Sequence, residues 1–287
     1  MTTTVYQVGV VGAGQMGAGF AQVCARAGLD VAVACRTQAS ADLAQLRFGQ
    51  ALDSLVRKDK LTPSARREAA GHVRFDAGLG NLRDCQFVLE SIPERLPDKR
   101  VVFAELDETV CNPKAILASN TSSLPLARIA SATSDPGRVV GVHFFNPVPV
   151  MPLVEIISTL RTSEHVVSEA SAFVTDALGK HVIRAKDRAG FVVNSLLIPF
   201  LLQAVRMLDS GVASVKDIDD GMRLGCGHPM GPLALIDLIG LDTIAAVGEA
   251  MFQETKEPMY APPPLLLRMV ESGLLGKKAG MGFHAYS

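Results

Sequence analysis

Six residues, Gly12-Ala13-Gly14-Gln15-Met16-Gly17, constrain this chain more than any other stretch. They follow an apolar run at residues 5–11 and open a proline-free segment at residues 15–27 that stops at Gly28. The run reads as a buried strand, the glycines as a tight turn, and the segment as a helix. Val31-Ala32-Val33-Ala34-Cys35, small and β-branched, reads as a second buried strand. Strand, helix and strand at this spacing make a βαβ unit, which requires the two strands to lie parallel. Glycines in such a turn let a pyrophosphate approach the N–H groups at the helix N-terminus. A plain glycine turn is the competing reading, and the complete βαβ context favours a dinucleotide site at Gly12, Gly14, Gln15, Met16 and Gly17.

The same alternation continues. A helix is expected over about residues 40–58, and Thr62-Pro63-Ser64 starts another, with threonine as cap and proline at the first helical position. Strands recur at residues 87–90, 115–118 and 139–142, with helices between them. Beyond Gly190-Phe191 the strand signals fade, and residues 192–208, 215–225, 232–239, 243–255 and 264–272 read as helices. The expected fold class is α/β: an N-terminal Rossmann-type doubly wound sheet over residues 1–187, then an all-α C-terminal domain over residues 188–287.

Composition excludes several classes. A chain of 287 residues, 48% hydrophobic and 20% charged, is a globular protein of one large or two ordinary domains. A net charge of −1 offers no electrostatic footprint for nucleic acid or an anionic membrane. Five cysteines, an odd number without C-x-x-C spacing, fit reduced thiols in a cytoplasmic protein rather than disulfides or a zinc site. No metal-ligand cluster is expected. Met1 to Tyr6 carry neither a basic nor an apolar leader segment, so no signal peptide is expected. The longest wholly apolar stretch, residues 196–202, includes Pro199 and is too short to cross a bilayer.

The end of the second strand bears on the cofactor. NAD-selective sites place Asp or Glu there to accept hydrogen bonds from the ribose 2′-hydroxyl. This strand ends Ala34-Cys35-Arg36-Thr37. No carboxylate stands there to repel a 2′-phosphate, and Arg36 is placed to bind one. The cofactor expected is NAD(P), with NADP(H) favoured over NAD(H).

His143 ends an expected strand, where doubly wound sheets hold their ligands, and heads the run His143-Phe144-Phe145-Asn146-Pro147. A neutral imidazole can accept a hydroxyl proton as hydride leaves. Glu155, in Leu153-Val154-Glu155-Ile156-Ile157, is a carboxylate in an apolar strand, costly unless paired. Paired with His143 it would orient the ring and stabilise the imidazolium. Ser119-Asn120-Thr121-Ser122-Ser123 follows another strand and reads equally as a cap for the next helix or as donors to a substrate oxygen. Asn194, a lone amide at a helix start, is ambiguous on its own.

These stretches together resemble the 3-hydroxyacyl-CoA dehydrogenase family, of the 3-hydroxybutyryl-CoA type, over nearly the whole chain. The resemblance extends to Gly190 to Asn194, Gly227-His228-Pro229-Met230-Gly231-Pro232, Leu241-Asp242 and the tail from Gly276 to Phe283. It implies reversible oxidation of an L-3-hydroxyacyl-CoA to the 3-ketoacyl-CoA. It implies His143 as catalytic base, Glu155 as its partner, and Ser122 and Asn194 as residues that bind and orient the substrate oxygen. It adds Glu94, Lys99 and Asn120 to the cofactor-binding set, and a homodimer formed through the helical domain. Three positions depart from the family pattern: Cys35 in place of an acid, Ala189 in place of proline before Gly190, and Ser195 in place of the arginine after Asn194. The first weakens the usual NAD preference; the third removes a charge beside a substrate residue. Lys58 and Lys60, beside Arg57, Arg66 and Arg67, either meet the phosphates of CoA or form a solvated helix end. Two other functions compete: a dehydrogenase of a free hydroxy acid on the same fold, and a non-catalytic dinucleotide-binding protein.

Overall fold

The computed structural model describes residues 7–286. Val5 and Tyr6, expected to open the first strand, lie outside the described residues, as does the whole segment read for a leader. The chain divides into two compact units between Asp187 and Arg188.

The first unit is built on one sheet. Its strands are β1 (Gln7–Val11), β2 (Asp30–Cys35), β3 (Val73–Ala77), β4 (Phe87–Glu90), β5 (Ile116–Ser119), β6 (Val139–Phe144), β7 (Leu153–Ser158) and β8 (His181–Lys186). They lie in the order β3-β2-β1-β4-β5-β6-β7-β8. The first six keep the Rossmann order and run parallel, so the switch point falls between β1 and β4. Except in the edge strand β3, their interior residues are buried, because a parallel sheet is covered on both faces. β7 turns back antiparallel to β6, and β8 pairs parallel to β7. The two strands absent from the sequence reading, β3 and β8, are the two edges of the sheet. Their exposed Arg74, Asp76, Arg184 and Lys186 blunt those edges and break the apolar run that reveals an interior strand.

Helices α1 (Gln15–Arg26), α2 (Gln38–Arg57), α3 (Pro63–Gly71), α4 (Leu96–Thr109), α5 (Leu126–Ala130) and α6 (Glu164–Ala172) connect the strands. Thr37 caps α2 in a reciprocal box with Ser40, so that helix starts two residues before its expected start. Thr62 caps α3 ahead of Pro63, as its sequence requires. One continuous core joins Phe20 of α1, Phe87 of β4, Phe144 of β6 and Phe173 beyond α6.

The second unit contains α7 (Val193–Asp209), α8 (Val215–Asp220, continued by a π-helical turn at Gly221–Gly225), α9 (Pro232–Ile239), α10 (Leu241–Thr255) and α11 (Pro264–Glu271). Leu201, Leu202, Leu233, Ile236, Leu241 and Met251 form its separate core. Its tail holds one 3-10 turn, Lys277–Ala279, and is tied down by two buried carboxylates. Asp237 accepts the Phe283 and His284 N–H groups, and Asp219 accepts from the His284 ring. Among the described residues no helix is long and apolar enough to cross a membrane.

Candidate functional site

The glycine turn sits at the switch point, and its three glycines serve different ends. Gly12 follows β1 with φ +95, and a Cβ there would lie 2.7 Å from the Ser91 carbonyl oxygen beyond β4. A Cβ on Gly17 would fall 2.0 Å from the Gly12 carbonyl oxygen, so Gly17 lets α1 pack onto β1. Gly14 differs: it is the N-cap of α1, and a Cβ there would meet no protein atom within 4 Å. No side chain caps α1 either. Protein packing therefore does not require a glycine at position 14, whereas an anion approaching the open helix N-terminus does. Residues 12–17 fit a dinucleotide pyrophosphate.

Arg36 follows β2 directly and is exposed. Cys35 beside it is buried, and burial, reinforced by the nearby Asp76 carboxylate, pushes its thiol up. Asp76 lies on β3, whose register sets it against Ala34; Asn81 donates to both its carboxylate and the Val33 carbonyl. The acid missing from the end of β2 thus has a neighbour on the adjacent strand, invisible without the pairing.

His143 and Glu155 are direct cross-strand partners in the β6–β7 ladder. Twelve residues of separation become one side-chain contact because β7 folds back antiparallel in that register. His143 Nδ1 lies 2.7 Å from Glu155 Oε2. Glu155 is fully buried and His143 nearly so. With the carboxylate ionised, Nδ1–H donates and Nε2 carries the ring's basic lone pair. The His143 ring packs against Phe145 at 4.7 Å between centroids, and the Asn146–Pro147 peptide that follows is cis.

A second polar cluster stands at the ends of β4 and β5. Glu90, fully buried, accepts from Lys99 Nζ at 2.6 Å, from Ser119 Oγ at 2.6 Å and from the Ile92 N–H at 2.7 Å. Lys99 also lies 3.2 Å from Glu94. Glu94 gathers the whole serine-rich loop, accepting from the Thr121 hydroxyl and from the Ser122 and Ser123 N–H groups. Asn120 Oδ1 accepts the Phe144 N–H, which ties this loop to the strand that carries His143. The cap reading of Ser119 to Ser123 fails: no side chain in the loop caps α5. Asp187 does so from 60 residues away, accepting from the Leu126 and Ala127 N–H groups. Lys99 is buried with its ammonium shared between two carboxylates and the Ile92 carbonyl. Glu90 escaped the sequence reading, yet it sends the signal that exposed Glu155, a carboxylate closing an apolar strand.

Burial alone would raise the Glu94 carboxyl, but the Lys99 ammonium, the Thr121 hydroxyl and the Ser122 N–H together hold it below the ordinary carboxylate range. A carboxyl lowered on folding contributes stability above its unfolded pKa of about 4.3 and loses it as pH falls through the folded value. Glu94→Gln should therefore be less stable than wild type at pH 7, with the gap closing below about pH 4.3. Thermal unfolding measured from pH 7 to pH 3.5 checks this; parallel curves would contradict it.

Ser122 is partly exposed in the serine-rich loop, and Asn194 stands in the first turn of α7, in the helical unit. Lys58 and Lys60 are exposed at the C-terminal end of α2. Arg66, read with them, instead donates to Asp53 at 2.9 Å. Ser195 turns its hydroxyl back onto the Phe191 carbonyl, and the Ala189 N–H, which proline would lack, donates to Glu254.

A Rossmann-type unit with an anion-ready glycine turn and a buried His–Glu pair, followed by a helical unit, defines a dinucleotide-binding oxidoreductase. Residues 7–188 match the model of the 3-hydroxyacyl-CoA dehydrogenase NAD binding domain, and residues 190–286 match that of the 3-hydroxyacyl-CoA dehydrogenase C-terminal domain. The chain is 50% identical to a 3-hydroxybutyryl-CoA dehydrogenase of Mycobacterium tuberculosis over 286 residues, 100% of each chain. The crystal structure of M. tuberculosis FadB2 superimposes with a TM-score of 0.97 at 50% identity, covering 99% of this chain and 100% of the other. That of (S)-3-hydroxybutyryl-CoA dehydrogenase from Ralstonia eutropha does so at 0.94 and 41%, with the same coverage. The chain belongs to the 3-hydroxyacyl-CoA dehydrogenase family, and its first unit is an NAD(P)-binding domain.

Proposed function

We propose that this enzyme oxidises a short-chain L-3-hydroxyacyl-CoA, such as 3-hydroxybutyryl-CoA, reversibly to the 3-ketoacyl-CoA with NAD(P). The observation that carries this reading is the 2.7 Å pairing of His143 with Glu155 within a member of this family. Bound NAD(P)+ supplies the hydride acceptor, its pyrophosphate held by Gly12, Gly14, Gln15, Met16 and Gly17, with Glu94, Lys99 and Asn120 among its neighbours. As hydride departs from C3, His143 Nε2 takes the hydroxyl proton. Glu155 keeps the ring in the tautomer that can do so and stabilises the resulting imidazolium. Ser122 and Asn194 donate to the substrate oxygen and orient it. Lys58 and Lys60 meet the CoA phosphates. The enzyme is a cytoplasmic homodimer formed through the helical unit, a reading supported by the exposed Leu196, Val212 and Leu224 there.

NADP(H) is the favoured cofactor, with Arg36 binding the 2′-phosphate. The test is reduction of acetoacetyl-CoA with NADH and NADPH in parallel, in wild type and in Arg36→Ala. The wild type should turn over with NADPH. Arg36→Ala should lower kcat/KM for NADPH about 10-fold or more, the worth of one charge-assisted bond, and leave NADH nearly unchanged. A strong wild-type preference for NADH would overturn the cofactor assignment. Turnover of free 3-hydroxy acids but not of thioesters would overturn the substrate.

A further inference from the structure

Lys180 is buried, 8% exposed, and forms no ion pair with a carboxylate among the described residues. Its ammonium donates to two backbone carbonyls instead, Val148 and Met151, each at 2.7 Å. Burial pushes this ammonium below the usual lysine range. A buried cation held only by carbonyl dipoles is costly, so its place demands an explanation.

Both carbonyls belong to the turn that joins β6 to β7. The turn is short and internally bonded, with the Val150 and Met151 N–H groups both donating to the Pro147 carbonyl. On one side Lys180 grips it, and the next residue, His181, donates its N–H to Pro152 as β8 begins beside β7. On the other side it presses on α1. A Cβ on Gly19 would lie 3.0 Å from Val148 Cβ, closer than ordinary packing, and 3.5 Å from Pro149 Cδ, in ordinary contact. Phe20 of α1 meets Phe144 at 5.2 Å between ring centroids. The turn is thus wedged between Lys180 and the helix whose N-terminus forms the pyrophosphate cradle. The strands leaving it carry His143 and Glu155.

We propose that Lys180 is a positioning residue for the dehydrogenase reaction. By fixing the 147–151 turn against α1 it sets the His143–Glu155 pair relative to the cofactor helix. The proposal rests on the reaction assigned above. It also assigns a purpose to Gly19, whose missing side chain allows α1 to approach the turn.

The test is acetoacetyl-CoA reduction by Lys180→Met, Lys180→Arg and Gly19→Ala, with circular dichroism as a check on folding. A misplacement of about 1 Å can cost roughly 100-fold, so Lys180→Met should lower kcat about 10- to 100-fold with little change in KM for the thioester. Chemistry should become rate-limiting, raising the deuterium isotope effect from cofactor labelled at its transferred hydrogen. Lys180→Arg, which keeps charge and donors, should recover most of the loss. Gly19→Ala removes no bond and favours the helix, yet by crowding Val148 it should lower kcat in the same manner. If Lys180→Met does not fold, Gly19→Ala decides. Variants within about twofold of wild-type kcat, with the isotope effect unchanged, overturn the proposal alone. A wild type inactive on acetoacetyl-CoA overturns the assigned reaction, and this proposal with it.

Discussion

Replacing His143 by alanine should lower turnover of a 3-hydroxyacyl-CoA by about 10²- to 10⁴-fold, the contribution of a positioned general base. Cofactor affinity should barely change, because the proposed pyrophosphate cradle lies on other elements, at the turn between β1 and α1. Glu155→Gln should fall in the same range for a different reason. The amide keeps the shape of the buried side chain but no longer selects the tautomer with Nδ1–H or stabilises the imidazolium. The two losses should not add. If Glu155 acts through the 2.7 Å bond to His143, the double variant should be scarcely slower than His143→Ala alone. Steady-state kinetics of the four enzymes form the cycle, with thermal unfolding to separate a damaged fold from damaged chemistry. Turnover unchanged in His143→Ala would discard the mechanism; additive losses would discard the coupling.

The glycine turn yields the second large effect, and it divides two residues that look alike in the sequence. Gly17→Ala forces a Cβ to within 2.0 Å of the Gly12 carbonyl oxygen, against backbone that has no room to yield. It should destabilise the first unit by about 3 kcal/mol, the upper end of ordinary overpacking. Gly14→Ala meets no protein atom and should leave the melting temperature of the free enzyme nearly unchanged. Under the proposed cofactor placement its methyl would instead occupy the space through which the pyrophosphate approaches. Overpacking of about 1–3 kcal/mol there would weaken cofactor binding by roughly 5- to 150-fold. Calorimetric unfolding and fluorescence titration with NADH and NADPH read the two effects separately. Equal loss of stability in both variants, or unchanged cofactor affinity in Gly14→Ala, would contradict the division.

Much of this was legible before any pairing was known. The βαβ unit could be read because glycine spacing, apolar runs and helix stops are local signals that tertiary contacts do not reverse. His143 and Glu155 could be read together because a carboxylate among Leu153, Val154, Ile156 and Ile157 is intolerable without a partner. Glu90 carries the same signal, but nothing local names its partners. Its partners Lys99 and Ser119 lie 9 and 29 residues away, joined only by the ends of neighbouring strands. The serine-rich loop stays ambiguous in the sequence because its hydroxyl and amide side chains suit a cap and a donor set equally well, and the carboxylate that caps α5, Asp187, is remote.

The sequence by itself determined a dinucleotide fold, its glycine turn, and the identity of the His–Glu pair, since each rests on residue chemistry or on contacts within one supersecondary unit. Tertiary structure alone decided which residues face one another. The antiparallel register of β7 set Glu155 opposite His143, the β2–β3 pairing set Asp76 against Ala34 at the end of β2, and the turn before β7 found Lys180. Register is a property of paired strands, and a slip of one residue would turn Glu155 or Asp76 to the opposite face of the sheet.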